Sequence, residues 1–210
     1  MKPSCYLLEG TWWNHKEIPL ILQYLQALNY SHGPIDLSHK TIRSNEDVEY
    51  WIRKIPKWSQ SFLYIACHGS GGNLYPSDGK CLITRDDIIN ALSKAKDGAI
   101  SFIHFGCCEM VVGDRRKSLL DIAQACGARW VSGYSKTAGW LESTFLELAL
   151  IAELYLPFFN DGKKQNPKLK SRADNFHRKY EQLARELNFS GICQNMAGAS
   201  GLIPKKLYVK

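Results

Sequence analysis

Two short apolar runs of this sequence each end abruptly in side chains that can do chemistry. The first run leads into His68 and Gly69, and the second leads into Cys107, Cys108 and Glu109. A thiol beside an imidazole is a pair suited to nucleophilic catalysis, because the thiolate is the attacking species and the imidazole accepts its proton. The sequence therefore predicts a nucleophilic site, provided that the fold brings the two ends together.

Acyl transfer by a thiol also needs hydrogen-bond donors for the negatively charged oxygen that forms on the substrate. Gly69 has no side chain, so a substrate can approach its backbone closely and reach its N–H group. The backbone N–H of the nucleophilic cysteine is the expected second donor. The two motifs thus supply a nucleophile, an acid-base group and two donors, and at this point either Cys107 or Cys108 can be the nucleophile.

The two apolar runs are expected to be neighbouring strands of one sheet. Residues 61–66 and 99–105 read as buried strands, and along the chain such runs alternate with helical patterns. This alternation predicts a mostly parallel sheet covered by helices on both faces. His68 and Cys108 are 40 residues apart, which allows one helical crossover between them. Because residues just past the carboxyl ends of parallel strands line one crevice, both motifs are expected at the same site.

Capping and turn residues predict where several of the elements begin and end. Thr84 is expected to open a helix with a capping box, and Ser118 and Asp121 are expected to cap the helix that follows the cysteines. Residues 70–79 are rich in glycine, serine and proline and are expected to form a long loop.

The length and composition predict one domain with one substantial core. The chain has 210 residues, of which 45% are hydrophobic. We expect residues 1–160 to form an α/β core. Residues 161–210 are expected to be a basic linker, a helix that Ser171 caps and a C-terminal edge strand, packed on the same domain.

The apolar stretches and the cysteines favour a cytoplasmic protein that is not inserted in a membrane. The most apolar stretch, residues 145–159, is interrupted by Glu147 and Glu153 and is too short to span a bilayer. No signal peptide is predicted at the start of the sequence. The seven cysteines are an odd number without a CxxC pair, so neither a disulfide framework nor a zinc cluster is expected.

The positive charge of the chain is concentrated in its last quarter. Residues 157–210 contain eleven Lys or Arg and four Asp or Glu, which accounts for the whole formal charge of +7. This basic tail can meet an acidic partner or a nucleic acid, and the alternative is a solvated helix face.

The two motifs resemble those of the caspase-like (clan CD) cysteine peptidases, and most closely those of the CHAT group. Residues 66–69 and 106–109 match the pattern of that group in order and spacing. The resemblance continues through residues 79–88 and 126–134, and it covers roughly residues 60–150. It implies a caspase-like three-layer αβα sandwich with a mostly parallel sheet of about six strands.

The resemblance also implies a role for each residue of the site. His68 is expected to be the general base and acid, Cys108 the nucleophile, and the N–H groups of Gly69 and Cys108 the oxyanion donors. Cys108 is preferred to Cys107 because Glu109 follows it directly, as in the family pattern. Adjacent strand residues also point to opposite sides, so only one of the two thiols can face His68. In this family a backbone carbonyl can orient the histidine in place of a third side chain.

The family's pocket for the residue before the scissile bond lies between the histidine loop, the cysteine strand and the next strand. The candidates for its wall in this sequence are Asp78, Asp114, Ser132, Tyr134 and Trp140. A basic substrate residue requires a carboxylate in the pocket, so the two aspartates favour Lys or Arg at that position.

The function that this resemblance implies is endopeptidase activity on protein substrates, through a Cys-His dyad and a thioester intermediate. No metal or cofactor is expected, and a regulatory partner or an oligomer is expected to control the site. One alternative is a catalytically inactive adaptor or sensor with the same fold. Another is a nucleotide-binding domain that uses residues 69–72 as a phosphate loop, although the Walker lysine is absent.

Overall fold

The computed structural model describes residues 2–12, 20–32, 35–76, 81–160, 165–194 and 200–203. The strands in chain order are β1 (Ser4–Glu9), β2 (Asp36–Thr41), β3 (Ser61–Ala66), β4 (His68–Ser70), β5 (Asn73–Tyr75), β6 (Ile100–Phe105), β7 (Trp130–Tyr134), β8 (Phe189–Gln194) and β9 (Ser200–Ile203). The helices are α1 (Leu20–His32), α2 (Asn45–Lys54), α3 (Arg85–Ser93), α4 (Arg115–Cys126), α5 (Trp140–Leu150), α6 (Leu156–Asn160), α7 (Gln165–Lys179) and α8 (Glu181–Glu186), with a π-helical turn, Ile151–Tyr155, between α5 and α6.

Seven strands form one sheet, in the order β2-β1-β3-β6-β7-β8-β9. The first five strands of this order run parallel, whereas β8 and β9 are antiparallel to their neighbours. The mostly parallel sheet is therefore as the sequence predicted, with one strand more than expected. The additional strand is β8. Residue 191 in this strand must be a glycine, because a Cβ atom there would lie only 2.3 Å from the ring of Trp130.

Helices cover both faces of the sheet and create two cores. On the first face, α1, α5, α6, α7 and α8 pack on β3 and β6 through a cluster that includes Phe62, Tyr64 and Phe102. On the second face, α2, α3 and α4 pack on the same strands through Leu63 and Ile65. Successive strand residues thus go to opposite cores, which produces the three-layer αβα sandwich.

Capping at α3 is as predicted, whereas the predicted start of α4 is wrong. Thr84 and Asp87 form a reciprocal capping box at α3. At α4 the cap is Asp114, whose side chain accepts hydrogen bonds from the backbone N–H groups of residues 116 and 117. Ser118 lies one turn inside the helix, and Asp121 forms an ion pair of 3.2 Å with Arg85. An aspartate satisfies the first free N–H groups of a helix as well as a serine does, so the earlier residue takes the position.

The tail becomes helical earlier than the sequence predicted. α7 begins at Gln165, so part of the linker expected before Ser171 is helical and Ser171 lies inside the helix. Pro167 falls in the first turn, where its missing N–H has no intrahelical partner to lose. The helix buries Leu169, Ala173 and Phe176 in the first core. β9 contains the expected edge residues 202 and 203, while the expected continuation at 207–209 lies outside the described residues.

The predicted long loop after His68 contains a short hairpin. β4 and β5 pair antiparallel around Gly71 and Gly72, whose φ angles of 59° and 83° suit a tight two-residue turn. Glycine is required there, because other residues rarely adopt these angles. The hairpin begins at His68 and fixes the backbone of the first motif. Among the described helices, none combines the length and the apolar character needed to cross a membrane.

Candidate active site

Three neighbouring strands carry the predicted site at their carboxyl ends. Trp12 follows β1, His68 follows β3 and Cys108 follows β6, and these strands are adjacent in the order β1-β3-β6. The topology thus brings together the two motifs that the sequence places 40 residues apart. It adds the segment after β1 as a third contributor.

The alternation of the strands continues past their ends and sorts the four residues of the two motifs. Cys67 and Cys107 are both 1% exposed and belong to the core on the second face. Their sulfur atoms are 3.8 Å apart, and the Cys107 thiol donates to the carbonyl of Ile65 over 3.3 Å. Burial, together with the neighbouring Cys67, holds the pKa of the Cys107 thiol well above its usual range. His68 and Cys108 are half-buried and line a cavity.

The backbone carbonyl of Trp12 orients the imidazole of His68. Nε2 of His68 lies 2.5 Å from this oxygen. A carbonyl oxygen only accepts hydrogen bonds, so Nε2 carries the proton and the neutral ring has its lone pair on Nδ1. The Trp12 ring packs edge-on against the imidazole, with the ring centres 5.5 Å apart. A main-chain group thus takes the place of a third side chain beside His68.

Glu9 holds Trp12 in this position from the end of β1. The Glu9 side chain is 2% exposed, and its Oε1 accepts from the indole N–H of Trp12 over 2.8 Å and from the backbone N–H of Ile21 over 3.3 Å. Its other oxygen pairs with Nε2 of His39 at 3.0 Å. Every oxygen of this buried carboxylate therefore has a partner, as burial of a charge requires.

Gly69 lies directly against the backbone of the cysteine loop. A Cβ atom at this position would come within 2.2 Å of the carbonyl oxygen of Cys108 and within 3.0 Å of Cβ of Cys107. Leu74, the hairpin partner of Gly69, exchanges both of its backbone hydrogen bonds with Ile83 on its far side. In an opposed antiparallel pair, the backbone groups of the two residues either face each other or both point outward. Those of Leu74 point outward, so the N–H of Gly69 is directed out of the hairpin as well.

Glu109 ties the cysteine loop to the histidine hairpin. Its backbone is left-handed, with a φ of 52°. Its Oε2 accepts from the Ser70 hydroxyl and from the Gly71 N–H, each over 3.1 Å. Its carbonyl oxygen accepts from the N–H of Gly72 over 2.8 Å. Three hydrogen bonds thus fix the spacing between the loop of Cys108 and the hairpin of His68.

The two candidate catalytic side chains share one cavity of about 300 Å³. The cavity is lined by the strand ends and by the segment that leads into α5, through Trp12, Cys67, His68, Gly106, Cys107, Cys108, Tyr134, Thr137, Ala138, Trp140 and Ser143. Bare backbone is required at Gly106, since a Cβ atom there would lie 2.5 Å from the ring of Tyr64.

The five residues predicted for the pocket wall fall in different places. Tyr134 and Trp140 line the cavity. Ser132 is fully buried beneath it and forms hydrogen bonds with His104 and Trp130, both over 2.9 Å. Asp114 caps α4, and neither Asp114 nor Ser132 is among the residues that line this cavity. Asp78 lies outside the described residues.

A buried polar network supports the cavity from below. Glu147, only 3% exposed, accepts a hydrogen bond of 2.8 Å from the Tyr134 hydroxyl and a second one from the Tyr64 hydroxyl. Nε2 of His104 lies 3.2 Å from the same carboxylate, and Nδ1 of His104 is bonded to Ser132. Burial and Glu147 raise the pKa of both phenols well above the usual range, which keeps them as neutral donors. The network makes His104 a core residue with a hydrogen-bond partner at each ring nitrogen.

Sequence reasoning missed Trp12 and Glu9 as parts of the site. Trp12 contributes a main-chain carbonyl, which any residue type could supply, so its own identity gives no signal. Glu9 did give a signal in the sequence, because it is an acidic residue at the end of an otherwise apolar strand. Within the described parts of the chain, no group of three or more His, Cys, Asp or Glu side chains is placed to hold a metal ion.

Comparison with known proteins identifies the fold. The structure is similar to that of a secreted C11 cysteine protease from Bacteroides thetaiotaomicron, solved in complex with an irreversible peptide inhibitor, with a TM-score of 0.53 and 14% sequence identity. The alignment covers 92% of this chain and 66% of that protein, so this chain spans just under two thirds of its length. No family model and no curated protein sequence matches the chain. The likeness shows the caspase-like fold of the clan CD cysteine proteases.

Proposed function

We propose that this chain is a cysteine endopeptidase in which Cys108 is the nucleophile and His68 the general base and acid. The observation that carries the proposal is the placement of this thiol and this imidazole on one cavity, at adjacent strand ends of a caspase-like fold. The carbonyl of Trp12 gives His68 the tautomer that a general base needs. The buried Cys107 faces the other core and is an unsuitable nucleophile.

The proposed reaction proceeds through a thioester. Nδ1 of His68 accepts the proton of the Cys108 thiol, and the thiolate attacks the carbonyl carbon of the scissile peptide bond. The N–H groups of Gly69 and Cys108 donate to the oxyanion of the tetrahedral intermediate. His68 then gives its proton to the leaving amine as the C–N bond breaks. A water molecule, deprotonated by His68, hydrolyses the thioester and restores the thiol.

The proposal is tested with fluorogenic peptides and four proteins, namely the wild type, Cys108→Ala, His68→Ala and Cys107→Ala. Loss of the nucleophile or of the base should lower kcat by at least about 10³-fold, because the two groups act as a unit. Cys107→Ala should keep most of the activity. If the wild type hydrolyses no peptide, alone or with cell extract, and no thiol of the cavity reacts with an electrophilic peptide, the adaptor function would replace this proposal.

We propose further that the chain belongs with the CHAT group, acts in the cytoplasm and is controlled by a partner protein or by oligomerisation. The two sequence motifs support the first point. Control is supported by α5, which starts at Trp140 on the cavity wall and exposes Leu141 by 49% and Phe145 by 61%.

The basic tail remains a candidate for an acidic partner or nucleic acid, although Lys170, Lys179 and Arg185 already pair with carboxylates.

A further inference from the structure

The cavity beside Cys108 is placed to receive the substrate side chain that precedes the scissile bond. Its walls include the thiol residue, the imidazole residue and Gly106, two positions before the thiol. When a substrate carbonyl carbon lies within reach of the Cys108 sulfur, the side chain of the same residue is attached to the adjacent Cα atom. That side chain is therefore the group that enters the cavity, which deepens the peptidase activity proposed above and depends on it.

The part of the cavity wall that the structure describes is aromatic and carries no counter-charge. Apart from His68, its largest side chains are Trp12, Tyr134 and Trp140. None of the described residues that line it is Asp, Glu, Lys or Arg. A charged substrate side chain entering this space would lose its hydration without gaining an ion pair, whereas an apolar one would bury its surface favourably.

The carboxylate behind this wall is buried, already engaged by three side chains and not among the residues that line the cavity. Glu147 already accepts hydrogen bonds from Tyr134 and Tyr64, and it lies 3.2 Å from Nε2 of His104. Tyr134 stands between it and the cavity and is itself 1% exposed. Asp114, whose carboxylate suggested a basic preference, instead accepts from two backbone N–H groups at the start of α4.

The floor and the volume of the cavity suit a large substrate group. Gly106 contributes no side chain, and the Tyr64 ring packs where its Cβ atom would otherwise lie. The volume of about 300 Å³ is at the lower end of the range for pockets that bind small molecules, and it exceeds what a methyl group needs. A small side chain would leave the aromatic wall uncovered.

We propose that the site selects a large uncharged side chain, aromatic or long aliphatic, before the scissile bond and rejects Arg, Lys and Asp there. The preference arises from Trp12, Trp140 and Tyr134, which line the cavity. It replaces the basic preference that the sequence alone suggested.

The test uses matched fluorogenic peptides that differ only in the residue before the reporter, with Phe, Leu, Ala, Arg, Lys or Asp at that position. The kcat/KM for Phe and Leu should exceed that for the charged residues by at least about tenfold. Trp140→Ala should lower kcat/KM for Phe by about tenfold, because it removes apolar contact area. Ala138→Asp, which adds a carboxylate to the wall, should raise kcat/KM for Arg. Gln124→Asp on the exposed side of α4 makes the same change in charge outside the cavity and should leave all values unchanged.

The outcomes separate this inference from the proposed activity. Hydrolysis that needs Cys108 but favours Arg, Lys or Asp in the wild type would overturn the inference and leave the peptidase intact. An equal response of Ala138→Asp and Gln124→Asp would show that net charge, and not the cavity wall, sets the preference. If the wild type cleaves none of the peptides and Cys108 forms no adduct with Phe or Arg chloromethyl ketone peptides, both proposals are wrong.

Discussion

The two sides of the sheet differ most where β3 and β6 end. On the second face, which we call the sealed side, Cys67 and Cys107 are each 1% exposed and pack in an apolar core with their sulfur atoms 3.8 Å apart, and both also have atoms in the cavity lining. On the first face, His68 and Cys108 are half-buried and border a cavity. Cys67 directly precedes His68 in the sequence, and Cys107 directly precedes Cys108. A step of one residue along the chain therefore separates a thiol packed in the core from the thiol that we propose as the nucleophile.

This difference teaches that strand geometry, and not side-chain type, sets the chemistry of the two neighbouring thiols. Burial raises the pKa of Cys107 and keeps it protonated, so it behaves as a small apolar side chain. The same alternation places Cys108 on the cavity that is also lined by His68, whose ring the Trp12 carbonyl orients. A shift of one residue in β6 would exchange the positions of Cys107 and Cys108.

Among changes that leave His68 and Cys108 in place, the largest expected effect comes from adding a Cβ atom at Gly69, between the two motifs. In Gly69→Ala the added Cβ would lie 2.2 Å from the Cys108 carbonyl oxygen, so the hairpin and the cysteine loop must separate. A displacement of about 1 Å between reacting groups costs roughly 100-fold in rate. We expect kcat/KM to fall by at least that factor while the free energy of unfolding falls by about 1–3 kcal/mol.

Gly71→Ala in the same hairpin is the matched control for that prediction. A Cβ atom at Gly71 meets nothing within 4 Å, but the φ of 59° disfavours alanine. It should cost about 1–2 kcal/mol of stability and little activity. If both variants keep full activity in peptide hydrolysis, close approach at Gly69 is not needed for catalysis.

A second prediction concerns Cys107 on the sealed side and its effect on how the free energy of unfolding depends on pH. The pKa of Cys107 in the folded chain is well above the ordinary value of 9.0, so unfolding releases its proton only above about pH 9. Below that pH the thiol is protonated in both states and has no effect on the pH dependence. Above it, the unfolded chain binds fewer protons, and this group lowers the free energy of unfolding by up to about 1.4 kcal/mol per pH unit.

Urea unfolding between pH 7 and pH 11 measures this effect in Cys107→Ala. The variant should start about 1–2 kcal/mol less stable at pH 7 and lose stability less steeply than the wild type above pH 9. Cys5→Ala should show the same flattening, because burial in β1 raises the pKa of that thiol to about 12. Parallel curves for all three proteins would contradict the assignment of Cys107 to the sealed side.

Sequence reasoning predicted those features of the two faces of the sheet that depend on local pattern. The strand ends, their alternation and the mostly parallel sheet follow from apolar runs of the right length, whereas the preference for Cys108 stays a prediction. It failed where a contact between distant segments decides. α7 is helical from Gln165 because its apolar face meets the first core, and β8 forms because Gly191 admits the ring of Trp130. The placement of the Trp12 carbonyl beside His68 likewise appears only once β1 and β3 are neighbours.

The smallest expected effect tests how far the catalytic side depends on Glu9, which contacts Trp12 and not His68. Glu9→Ala removes the acceptor of the Trp12 indole, so the segment that supplies the orienting carbonyl loses its anchor. As Glu9 is a positioning residue, kcat should fall by about tenfold with KM nearly unchanged. Glu9→Gln keeps an oxygen for the indole and should retain most of the activity at equal fold stability. If Glu9→Ala changes the melting temperature but not kcat, the end of β1 supports the fold alone, and His68 keeps its orientation without it.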